Sequence, residues 1–428
     1  MTNFGHGDTG WFVHDRFGMF IHWGLYSMPA RHEWVRNYEE IPDESYRKYF
    51  EEFHPDDFHP ELWAQAARRA GMKYFVITAK HHEGFCLWDS AYTDYKITNT
   101  PFRRDALREI VEAFRAEGLR VGFYYSLLDW HHPDFTVDGL HPLRSHPDRA
   151  KLNAGRDMAR YREYMFNQVR ELLTQFGKID ILWFDFSYPK QPDGKGHDDW
   201  GSENLVKMIR SLQPGIILDN RLDLPGVGDI VTPEQYTPDA PVCDENGRPA
   251  VWEGCQTFSG SWGYHRDEMT WKSAKQCIDL LINHVCCNGN LLMNVGPNAR
   301  GQLDGRAAER LNDYARWMAA NSRSIYGCGA APEEFPVPRD CRYTWNPETR
   351  RLYLHIMNWP FKHLHLPNLA GKVKHAQFLH DGSEVRLRER DSSIHEGLNS
   401  KSPAGAVTLD FPVVKPDVEV PVVELLLK

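Results

Sequence analysis

Five apolar runs along this chain break off the same way, into polar and aromatic residues. Residues 17–24 (FGMFIHWG) end in His22 and Trp23, and 73–82 (KYFVITAKHH) end in His81 and His82. Arg120–Ser126 (RVGFYYS) ends in Tyr124 and Tyr125, with Asp129 and Trp130 just beyond. Residues 179–186 (IDILWFDF) end in Trp183 and Asp185, and 215–221 (GIILDNR) end in Asp219, Asn220 and Arg221. Between most of these runs apolar residues recur at helical spacing, over 60–71, 105–118, 156–177 and 202–214. Gly71 and Gly118 stand where a C-cap would, and Ser202 where an N-cap would. Further strand candidates are 251–257 and Gly289–Val295, the latter after a helix predicted over 271–287.

Strand and helix alternating at this interval predict a parallel sheet. In a parallel α/β barrel every strand opens its C-terminus on one face, where active sites sit, so these distant residues would meet in one pocket. Seven strand candidates are found where eight would close the barrel, so the (β/α)8-like barrel is either irregular or hides a strand. A doubly wound open sheet has similar periodicity but calls for a glycine-rich phosphate turn; Gly226-Val227-Gly228 lacks its third glycine. After a helix predicted over 303–326 the composition shifts to a glycine- and proline-rich stretch, 327–340. Short alternating runs follow (351–357, 373–379, 384–387, 406–411 and 419–427), with turn residues at Asp381-Gly382 and Pro403-Ala404-Gly405. The expected division is a barrel over 1–332 and a C-terminal antiparallel β-sandwich over 333–428.

Charge and cysteine content narrow the setting. A net charge of −9 over 428 residues, with no basic block, argues against nucleic acid or an anionic membrane as the main partner. The N-terminus lacks a signal-peptide layout and no apolar run has the length of a membrane span. Eight cysteines scattered through helical and strand-like settings read as free thiols, so the expected location is cytoplasmic.

Asp185 ends a buried apolar strand, where a carboxylate must be paired, hydrogen-bonded or functional. Asp219, ending the next strand, has the same standing. His22, His81 and His82 could suggest a metal, yet adjacent histidines on an extended strand point to opposite sides. Neutral imidazoles also hydrogen-bond hydroxyl groups, so no metal and no cofactor is expected. Fourteen tryptophans and 18 tyrosines, several at strand ends, offer flat apolar faces with a polar edge. Together with the histidines they point to a polyhydroxylated substrate. Glycoside hydrolysis would need a second carboxyl, and the candidates in 222–253 are Glu234, Glu245 and Glu253. A loop carboxyl half-buried against aromatics acquires the raised pKa of a general acid.

Read together, segments 16–30 (RFGMFIHWGLYSMPA), 32–34 (HEW), 70–90 (AGMKYFVITAKHHEGFCLWDS) and 118–130 (GLRVGFYYSLLDW) resemble an α-L-fucosidase of glycoside hydrolase family 29. So do 182–186 (LWFDF), 252–264 (WEGCQTFSGSWGY) and 289–301 (GNLLMNVGPNARG). The resemblance implies a retaining double displacement on a (β/α)8-like barrel followed by a β-sandwich, with Asp185 as nucleophile. It implies that His22, Glu33, Trp34, His81, His82, Tyr125, Trp183 and Arg221 hold the fucose ring. Glu234 is the implied acid/base and Glu253 the reserve. Phe186 departs from the glycine or methionine that many members carry after the nucleophile. The expected partner is a fucosylated glycan or small fucoside, with oligomeric state left open. The rival readings are a retaining enzyme for a related sugar such as an α-L-galactoside, a non-catalytic glycan-binding relative, and a metal-dependent barrel hydrolase.

Overall fold

The computed structural model describes residues 4–244, 247–389 and 405–428. Seven parallel strands are formed: β1 (Phe17–Ile21), β2 (Tyr74–Lys80), β3 (Arg120–Ser126), β4 (Ile181–Asp185), β5 (Ile217–Leu218), β6 (Trp252–Thr257) and β7 (Gly289–Val295). They are ordered β5-β4-β3-β2-β1-β7-β6. Every residue of β1, β2, β4, β6 and β7 is buried, because one face lines the interior and the other lies under helices. Phe20, Tyr74, Val76, Tyr124, Ile181 and Trp183 belong to the inner cluster, while Met19, Phe75, Phe123 and Leu182 pack in the larger outer core.

The eighth stave is present without being a regular strand. Segment 230–234 bridges Asp219 on one side through Ile230, and Trp252 and Cys255 on the other through Val231 and Glu234, all in parallel sense. Val231 N–H donates to Val251 O at 2.9 Å and Gln235 N–H to Cys255 O at 3.0 Å. Toward β5 the ladder is incomplete: Thr232 N–H goes to the Asn220 side chain at 3.2 Å, and Pro233 has no N–H to give. The barrel is thus closed where the sequence reads as a proline-rich loop, and Glu234 stands at a stave end.

Helices Pro60–Arg69, Ala106–Ala116, Met158–Gln175, Ser202–Leu212, Ala274–Cys286 and Gly305–Asn321 cover the outside. Gly71 and Gly118 follow the first two in the left-handed region, at φ 88° and 74°. Ser202 does not cap its helix: it is the first helical residue, behind Gly201, and its hydroxyl donates to Leu222 O at 2.7 Å. Beyond the barrel lie β8 (Cys341–Asn346), β9 (Arg351–Ile356), β10 (His363–Leu366), β11 (Val373–Phe378), β12 (Arg386–Glu389), β13 (Val407–Asp410) and β14 (Val422–Leu427). They form two antiparallel sheets, β11-β14-β9-β8 and β10-β13-β12, around a shared apolar core. The expected turn at Pro403-Ala404 lies outside the described residues, as does Glu245. All eight cysteines are unpaired thiols. Among the described residues no helix is long and apolar enough to cross a membrane.

Candidate active site

At the C-terminal ends of the staves one pocket is lined by Phe20, His22, Glu33, Trp34, His81, His82, Tyr124, Trp183, Asp185, Phe186, Glu234, Cys255 and Trp262. Asp185, the last residue of β4, has both oxygens engaged. Oδ1 accepts from Arg221 Nη1 at 2.8 Å and Oδ2 from the Tyr124 hydroxyl at 2.7 Å. Arg221 follows β5 and is tied to the closing stave, donating to Thr232 Oγ1 at 3.1 Å and Thr232 O at 3.0 Å. Its Nη1 also lies 3.5 Å from Glu234 Oε2, and its guanidinium covers the Trp183 ring at 4.4 Å. One cation therefore serves two carboxyls on different staves. Burial raises the Glu234 pKa, Arg221 lowers it and Asp185 raises it again; the side chain keeps 46% exposure, so solvent moderates the rise.

The histidines are held neutral. Burial drives His22 down to about 3 and holds His81 and His82 well below the ordinary imidazole value. His22 Nδ1 lies 2.7 Å from Asn294 Oδ1, while the Asn294 amide donates to Trp262 O at 2.7 Å. That amide orientation makes His22 Nδ1 the donor and leaves Nε2 an acceptor toward the pocket. Ser126 donates to Leu128 O at 2.7 Å, so its oxygen accepts from His82 Nδ1 at 2.6 Å, and His82 Nε2 likewise becomes an acceptor. His81 and His82 both enter the pocket, against the strict alternation of an extended strand. The register of β2 against β3 shifts between Thr78 and Lys80, and the two rings sit 4.0 Å apart beyond the strand end. Glu33, on the loop after β1, is buried and accepts from Gly263 N–H at 2.7 Å; burial raises its pKa. Among the described residues no three His, Cys, Asp or Glu side chains are grouped to hold a metal ion.

Tyr125 is the correction. It faces the helices, where its hydroxyl donates to Gln168 Oε1 at 2.8 Å and Lys80 Nζ lies 4.5 Å from its ring centre. Its neighbour Tyr124 takes the inward position, opposite Trp183 in register and stacked on it at 5.6 Å. The register decides it: counting alternate residues across the β3–β4 pair from Asp185 leads to Ser126 and Tyr124. Glu253 is also inward-facing but lies deeper, fully buried, with the Tyr74 hydroxyl donating to Oε2. The Trp183 indole leans toward it without closing a hydrogen bond, and burial pushes its pKa up to about 7. Asp219 accepts from Phe184 N–H at 3.1 Å between β4 and β5, outside the pocket. Trp262, Phe20 and Cys255 line the pocket without having been singled out beforehand. Phe186 stands at φ 75°, a left-handed conformation that favours glycine, and packs on His82 at 5.0 Å and Trp34 at 5.3 Å.

The profile of the alpha-L-fucosidase family matches residues 6–323. The plasma alpha-L-fucosidase of Homo sapiens is 30% identical over 382 residues, spanning 82% of this chain and 76% of its own. Among solved structures, alpha-L-fucosidase isoenzyme 1 from Paenibacillus thiaminolyticus superposes with a TM-score of 0.91 at 46% identity, covering 98% of both chains. A GH29 alpha-L-fucosidase from Bacteroides thetaiotaomicron, trapped as a covalent intermediate with 2-fluoro-fucosyl fluoride, gives 0.83 at 27% identity. That match covers 100% of this chain and 99% of the other.

Proposed function

The chain belongs to the alpha-L-fucosidase family of glycoside hydrolases, and on that premise we propose that it hydrolyses terminal α-L-fucosides with retention, Asp185 acting as nucleophile and Glu234 as acid/base. The observation that carries the reading is the shared guanidinium. Two contacts of 2.8 and 3.5 Å to Arg221 Nη1 cap the separation of the Asp185 and Glu234 oxygens at their sum, about 6.3 Å. Retaining enzymes hold their carboxyls about 5–5.5 Å apart, inverting ones about 6.5–9.5 Å.

In the first step Asp185 attacks the anomeric carbon while protonated Glu234 gives its proton to the departing glycosidic oxygen. Arg221 and Tyr124 hold the Asp185 carboxyl aimed until it attacks. In the second step ionised Glu234 takes a proton from water, which displaces Asp185 and releases fucose. The acceptor nitrogens of His22 and His82 and the carboxyl of Glu33 suit sugar hydroxyls, and the tryptophans suit the C6 methyl and ring CH groups. The trapped intermediate of the Bacteroides relative supports a covalent step. The eight unpaired thiols support a reducing, cytoplasmic setting.

The test is hydrolysis of p-nitrophenyl α-L-fucoside by wild type, Asp185→Gly and Glu234→Ala, with and without azide. Asp185→Gly should lose at least about 10⁴-fold in kcat, and azide should yield the β-fucosyl azide. Glu234→Ala should yield the α-anomer under azide. A first-formed β-fucose from wild type would overturn retention, and an unimpaired Glu234→Ala would remove that residue from the acid/base role.

A further inference from the structure

The short helix Val35–Tyr38 leaves the pocket wall, and its residues divide sharply in exposure. Val35, Arg36 and Asn37 are all buried, whereas Tyr38 is 65% exposed. The mount is rigid. Asn37 donates through its side chain to Leu140 O at 2.6 Å, and Arg144 donates to Asn37 O at 2.9 Å. Just past the helix Glu39 forms a two-pronged pair with Arg31, at 2.6 and 2.7 Å. A tyrosine so placed gains little from burial, yet it is held between buried Asn37 and the exposed Arg31–Glu39 pair.

Its ring continues the pocket. Tyr38 stacks against Trp34 with centroids 5.8 Å apart and planes 28° apart, and Trp34 itself lines the pocket beside Phe186. His32 flanks Tyr38 at 4.7 Å. Its Nδ1 accepts from Trp34 N–H at 3.0 Å, which places its proton on Nε2. Burial, then His265, lowers the His32 pKa to about 4, so this tautomer holds at neutral pH.

We propose that Tyr38, stacked on Trp34 and flanked by the His32 donor, is a platform for the pyranose ring to which the fucose is attached. An apolar CH face laid on an aromatic ring with an N–H donor at its edge is the chemistry that binds a sugar, and continuity with the fucose pocket fixes which sugar. The inference rests on the fucoside reading and extends it from the cleaved sugar to its leaving group: glycans carrying fucose on a hexopyranose are the substrate class.

The experiment compares α-L-fucosyl fluoride, which has no aglycone ring, with a panel of fucosyl disaccharides, using wild type, Tyr38→Ala and Tyr38→Phe. Tyr38→Ala should keep kcat/KM on the fluoride within about twofold and lose about five- to tenfold on the best disaccharide. Tyr38→Phe should restore the disaccharide rate. Equal effects of Tyr38→Ala on both substrates, or none on either, would overturn the platform. So would a wild type that cleaves the fluoride and no disaccharide. A wild type inert toward the fluoride would instead strike the fucoside reading itself.

Discussion

Two carboxyls at the barrel's rim and one in its interior are set in opposite electrostatic surroundings. Asp185 and Glu234 share the Arg221 cation, and Asp185 also accepts from Tyr124. Glu253, inward-facing like them, has the Tyr74 hydroxyl and the edge of Trp183 but no cation. At the rim a guanidinium offsets part of the burial that favours a neutral carboxyl, as Arg221 does for Glu234. Without a cation the same group is pushed toward its neutral form and serves the interior as a hydroxyl-accepting wedge. The contrast also separates two residues that sequence pattern alone offers as alternative proton donors.

The largest expected effect breaks the rim's electrostatics. Arg221→Met should lower kcat/KM on an aryl fucoside by about 10²–10³-fold. Arg221 holds the Glu234 pKa down against burial, so its loss lets that pKa climb. The proton donor then stays protonated to higher pH, and the alkaline limb of kcat/KM should move upward. An unmoved limb would detach Glu234 from Arg221.

The interior is sharpened by Glu253→Gln. With its pKa raised from 4.5 to about 7 in the folded chain, Glu253 binds its proton more tightly folded than unfolded. Its contribution to stability is therefore greatest in acid and declines as pH rises through that window, by roughly 3 kcal/mol. Urea unfolding at pH 4.5 and pH 8 should show a fall in wild type that is smaller by that amount in the variant. Fucosidase activity at mildly acid pH should stay within about threefold of wild type, since the group removed is a neutral acceptor. A loss on the scale of Glu234→Ala would erase the distinction between rim and interior.

Adjacent tyrosines give the smallest and cleanest version of the comparison. Tyr124→Phe removes a donor to Asp185 and should lower kcat by about 10- to 100-fold with little change in KM. Tyr125→Phe leaves Gln168 short of one partner and should cost about 1 kcal/mol in unfolding with activity unchanged. Reversed outcomes would mean that the inward and outward faces of β3 have been exchanged.

Much of this was legible in the sequence, for a physical reason. Buried parallel strands are largely apolar runs, and the polar and aromatic residues at their C-terminal ends mark the barrel's open end; His22, His81, Trp183 and Asp185 follow from that. Choosing Tyr124 over Tyr125 needed the facing of β3, which neither apolar content nor strand length supplies. The closing stave stayed hidden because a proline and a side-chain hydrogen bond replace part of its ladder, so it carries loop residues while holding strand position. Trp262 reaches the pocket from the loop after β6, through folding of a stretch with no periodicity to read. Phe186 was visible as a departure, but its left-handed φ was not.

The closing stave has a consequence for how such a chain can diversify. Glu234 is fixed by pairing with β6 before the backbone leaves the barrel, at Gln235 N–H to Cys255 O. The largely exposed stretch from 236 to 244 that follows is a detour whose length and decoration do not set the carboxyl's position. A lineage can lengthen, trim or graft new sequence into that detour while the proton donor stays where it was.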